Sequence, residues 1–126
     1  MKARDTNVRI KRFEADEHAR KIANLQSMIR DFQLMAADLD RQIQAEEDRT
    51  GVRDRTHFAY STFAKSAALR RDNLRASAAE LTGKLEIAMK AHDEAVEQLA
   101  HANTTDPREQ MRLRRRPDRS AGVAAR

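Results

Sequence analysis

Histidine is the side chain best matched to proton transfer and metal binding at neutral pH. The chain carries four, His18, His57, His92 and His101. None sits in a pattern that makes a reaction centre. There is no His-Glu-x-x-His, no Gly-x-Ser-x-Gly and no glycine-rich phosphate loop. With no cysteine, a disulfide and a thiolate zinc site are excluded. In an antiparallel pairing of two helices His18 and His92 share a layer, with Glu14 and Asp93 close by. That layer reads either as a metal or pH-sensitive site or as a half-solvated polar layer that sets register. A closed metal site wants four placed ligands, which favours the polar layer. Glu97 and His101, four apart, read as an exposed helical pair, and His57 as a turn residue. The expectation is a protein with no catalytic residues, no metal and no cofactor.

Binding chemistry is better represented. Three of the five aromatic residues, Phe58, Tyr60 and Phe63, fall in one short stretch. They cannot all face one partner helix. They either plug the end of a seam or form an exposed anchor patch, the kind of aromatic cluster that dominates protein interfaces, and both roles are compatible. Near the N-terminus Lys2, Arg4, Arg9, Lys11 and Arg12 are countered only by Asp5 and Glu14. A second basic run, Arg112 to Arg119, lies in residues 103–126, where seven arginines face three acidic residues. It could hold nucleic acid or another anionic surface by charge alone. It lacks interleaved aromatics and a base-reading module, so it reads as a solvated tail and no specific nucleic acid is expected. Most of the formal charge of +5 belongs to this tail.

Two long helices must position these groups. Ile22, Leu25, Ile29, Phe32, Ala36, Leu39 and Ile43 alternate spacings of three and four, and the frame extends back to Val8, Lys11, Ala15 and His18 and on to Glu46. A second heptad runs through Leu74, Ala78, Leu81, Leu85, Ala88, His92, Ala95, Leu99 and Ala102, and back through Arg71, Ala67, Ala64 and Tyr60. Between them Thr50-Gly51 breaks the phase. Gly51 is suited to end the first helix, and Asp54 or Thr56 to cap the second. One unbroken helix through Gly51 is the competing reading. The expected domain is residues 1–102, an antiparallel two-helix coiled-coil hairpin: helix 1 over about 6–49, a turn over about 50–57 and helix 2 over about 58–102. Residues 103–126, with Pro107 and Pro117, are expected to be frayed helix and a disordered Arg-rich tail.

Register follows from volume. One alignment sets Ile22 opposite Ala88, Leu25 opposite Leu85, Ile29 opposite Leu81, Phe32 opposite Ala78, Ala36 opposite Leu74 and Ile43 opposite Ala67, so that large residues mostly meet small ones. Its weak layer is Leu39 with Arg71. The neighbouring alignment, one heptad away, sets Phe32 against Arg71 and is worse. Lys11, Glu46 and Arg71 on the seam act as register devices or mark points where the helices splay. Gly83 lies off the seam and costs about 1 kcal/mol relative to Ala. Each arm is expected to be roughly 60–65 Å long at 1.5 Å per residue.

Composition agrees. Five aromatics, three glycines, two prolines and 36% charged residues suit long helices rather than a globular or β core. No apolar run reaches the ~18 residues of a membrane span. Met1-Lys-Ala-Arg-Asp5 shows no apolar leader, so a cytosolic protein is expected. Two-helix rods also lack the concave pocket that catalysis usually needs.

Several of these segments resemble alphaproteobacterial flagellar export proteins of the FliJ type. They are Lys2-Ala-Arg-Asp-Thr6 through Arg12-Phe13, Met35-Ala-Ala-Asp-Leu-Asp-Arg-Gln-Ile43 with Glu46-Glu47 and Thr50-Gly51, His57-Phe-Ala-Tyr-Ser-Thr-Phe-Ala-Lys65, and Arg70-Arg-Asp-Asn-Leu74. The resemblance covers roughly residues 2–90, and the non-periodic His57–Lys65 stretch carries most of it. It implies a non-enzymatic, stalk-like hairpin serving flagellar type III protein export. Its implied partners are the ring of the flagellar export ATPase, the export gate membrane protein and export chaperones. The implied location is the cytoplasmic side of the inner membrane at the flagellar base. By analogy Arg4, Arg9, Lys11 and Arg12 would meet the ATPase, and Phe58, Tyr60 and Phe63 a second partner. A generic coiled-coil scaffold, or a hairpin binding an anionic surface through the Arg-rich tail, is the alternative.

Overall fold

The computed structural model describes residues 2–104, which form two α-helices and the turn between them. Helix α1 runs Lys2–Thr50 and helix α2 runs Thr62–Thr104, and they pair antiparallel as an all-α, coiled-coil-like hairpin. Of the expected tail over 103–126, residues 103 and 104 end α2, and residues 105–126 lie outside the described residues. α1 starts four residues before the expected position 6, since nothing in Lys2-Ala-Arg-Asp-Thr6 opposes helix.

Every heptad position from Val8 to Glu46 and from Tyr60 to Ala102 is buried or half-buried. The period of 3.5 therefore picks out the seam without exception, because residues three and four apart share one helix face.

The chain divides into two compact units. The first joins residues 2–20 to 88–104, and the second is Lys21–Ile87. In the first the buried residues are Ala15, Ala88, Ala95 and Ala102, with Val8, His18 and Leu99 half-buried among them. Lys11 reaches across its seam, donating to the Gln98 amide oxygen at 3.2 Å. In the second unit Leu25, Ile29, Leu39, Ile43 and Tyr60 are buried with Ala64, Ala67, Ala68 and Ala78. Leu39, Ile43, Tyr60 and the three alanines from Ala64 to Ala68 form one cluster, with Val52 and Leu74 packed against it.

Arg71 fixes the register here. Its guanidinium donates to Asp40 at 2.7 Å, a bond made in the alignment that sets Ile43 near Ala67 and not in the one a heptad away. The weak Leu39–Arg71 layer is thus closed by charge and does not splay. Lys11, Glu46 and Arg71 all bond across the seam, so all three are register devices.

The turn is longer than expected. α1 ends where the Gly51 amide donates to the Glu47 carbonyl at 2.8 Å, with Gly51 at φ 73°. That is the left-handed region, which costs an L-residue roughly 1–2 kcal/mol and glycine nothing. An unbroken helix is excluded. α2 begins at Thr62, not near residue 58, because two local structures use up the intervening chain. The Asp54 carboxylate accepts from the Thr56 amide at 3.0 Å and the Thr56 hydroxyl at 2.7 Å. The His57 carbonyl then accepts from the Tyr60 amide at 3.0 Å, and the His57 Nδ1 from the Ala59 amide at 3.0 Å. Ser61, rather than Asp54 or Thr56, caps α2: its hydroxyl accepts from the Ala64 amide at 3.2 Å.

Candidate functional site

The expected site residues separate by unit. In the first unit, near the start of α1, Arg4 is half-buried and donates to the Asn103 carbonyl at 2.5 Å, which ties the start of α1 to the last turn of α2. A cation there also faces the negative end of the α2 dipole. Lys11 is held by Gln98 and lies 3.6 Å from the Glu14 carboxylate. Arg9 and Arg12 differ from these two. Both are exposed, and neither forms an ion pair with a described residue. Two of the four expected bases therefore brace the helix pair, and two project charge into solvent. Beside them a shallow depression of about 460 Å³ is lined by Asn7, Lys11, Glu97, Gln98, His101 and Ala102.

In the second unit the turn separates its aromatics. Tyr60 is 5% exposed and seals the seam, its hydroxyl donating to Glu47 at 3.3 Å. Phe58 is 96% exposed and stacks on the His57 ring, centroids 4.6 Å apart. Phe63, in the first turn of α2, is 54% exposed. Plug and exposed surface thus coexist, on different residues.

Glu46 organises this turn in a way the heptad does not announce. It accepts from the Ser61 hydroxyl at 2.9 Å and is gripped by Arg49 through both oxygens. The first turn of α2 has no acidic residue of its own. A carboxylate from α1 supplies the negative charge that a helix N-terminus favours. The Arg49 guanidinium, and after it the Ser61 hydroxyl, hold the Glu46 carboxyl below its ordinary range. The Thr56 hydroxyl, then its amide, do the same for Asp54. Asp40 is the other residue that patterning misses. It bridges Arg71 at 2.7 Å and Arg75 at 2.5 Å across the seam. Acidic residues flanking a seam opposite arginines are the available signal, readable only once the register is known.

His18 and His92 are both half-buried, and the His92 Nδ1 lies 3.8 Å from the Asp93 carboxylate. Among the described residues no group of three or more His, Cys, Asp or Glu side chains is placed to share a metal ion. No described helix is long and apolar enough to cross a membrane.

Fold and surfaces together define a coiled-coil-like helical hairpin that offers exposed arginines in one unit and an exposed aromatic turn in the other. Comparison with protein-family models, curated proteins and solved structures returns no match.

Proposed function

We propose that this chain is a non-enzymatic, stalk-like component of a flagellar type III export apparatus, of the FliJ type. In this reading it binds the export ATPase ring and the export gate, and engages export chaperones, to promote export of flagellar proteins. It acts in the cytoplasm, peripheral to the inner membrane at the flagellar base. The observation that carries the reading is the His57–Lys65 segment. It is the non-periodic stretch on which the family resemblance rests, and it completes the turn and opens α2 of a two-helix hairpin, the architecture that resemblance implies. Arg9 and Arg12 support the ATPase contact, since exposed guanidinium groups that form no ion pair with a described residue are suited to carboxylate recognition. Phe58 supports a second contact, being an aromatic held out of the core by a hydrogen-bonded turn.

The test is a titration of the protein into the export ATPase. Binding with stimulated ATP hydrolysis is expected. The double reversal Arg9→Glu with Arg12→Glu should weaken binding by at least tenfold, because interfacial charge reversals cost a few kcal/mol. Absence of binding by the unaltered protein, together with normal motility of a deletion strain, would overturn the reading. Stimulation unaffected by the double reversal would remove the basic residues from the contact.

A further inference from the structure

We draw no further inference here: the strongest candidate, the surface groove of about 410 Å³ between α1 and α2 in the Lys21–Ile87 unit, lined in part by Met35, Leu39, Arg70 and Leu74, carries none because nothing in the structure shows what covers it.

Discussion

Residues of the same type act differently here because of where the turn places them. Tyr60 and Phe58, two positions apart, illustrate it. Tyr60 is buried and hydrogen-bonded, whereas Phe58 faces water with only His57 beneath it. Tyr60→Ala should destabilise the hairpin by about 3 kcal/mol, and Phe58→Ala by less than about 0.5 kcal/mol. Thermal melts of the two variants measure the difference, and equal losses would show that Phe58 packs too. Arg71 makes a second contrast. It is 9% exposed and is held by Asp40 and Asp72. Asp40→Ala leaves the buried Arg71 with Asp72 alone, removes the cross-seam bonds to both arginines, and should cost about 1–2 kcal/mol. Arg71→Leu replaces the buried cation by an apolar side chain facing Leu39 and should be neutral or stabilising. Denaturant midpoints of the two variants report the sign. The Asp40 variant being the more stable would refute the role given to the bridge.

At the scale of elements, both helices depend on what happens between residues 50 and 62. Gly51 and Gly83 are chemically identical, and a Cβ added to either meets nothing within 4 Å. Only Gly51 has positive φ. Gly51→Ala should therefore cost about 1–2 kcal/mol, while Gly83→Ala should stabilise α2 by about 1 kcal/mol. Melting temperatures moving in the same direction would contradict this account of the helix end. The turn should also respond to acid. Glu46 and Asp54 have folded-state values below those of the unfolded chain. Their support is full at neutral pH. It is lost as pH falls from the ordinary carboxylate range, about 4, through the lower folded values. Amide exchange at Thr56 and Ala64, corrected for its intrinsic pH dependence, should lose protection in that window. Glu46→Gln, which cannot titrate, should flatten the response at Ala64.

At the scale of the whole molecule the two units are built from different material. Among residues 2–20 and 88–104 the buried hydrophobic side chains are four alanines. The Lys21–Ile87 unit buries Leu25, Ile29, Leu39, Ile43 and Tyr60. At about 25 cal/mol per Å² of apolar surface, the large side chains contribute far more per layer than alanine does. Hydrogen exchange should find amides of Leu25–Ile43 protected longest and those of residues 8–18 and 92–102 opening earlier. Uniform protection along α1 would refute that division. The unit expected to open earlier is also the one that carries Arg9 and Arg12, the residues of the proposed ATPase contact.

Fold class, seam membership and antiparallel pairing were legible in the residues alone, because a 3.5 period needs no distant information and a Thr-Gly break needs only its neighbours. Val8 to Glu46 and Tyr60 to Ala102 are seam positions for that reason. The turn was less legible. Asp54, Thr56 and Ser61 are all competent helix caps, and choosing Ser61 requires knowing that Glu46 waits across the seam to accept its hydroxyl. The candidate contacts divided in the same way. Nothing local distinguishes Arg4 and Lys11, which bind the second helix, from Arg9 and Arg12, which do not, since that depends on what α2 sets opposite each. The bridge made by Asp40 was likewise invisible until the register was set. Periodicity is a property of one strand of sequence, whereas charge pairing across a seam is a property of two, and only the folded hairpin brings the second to the first.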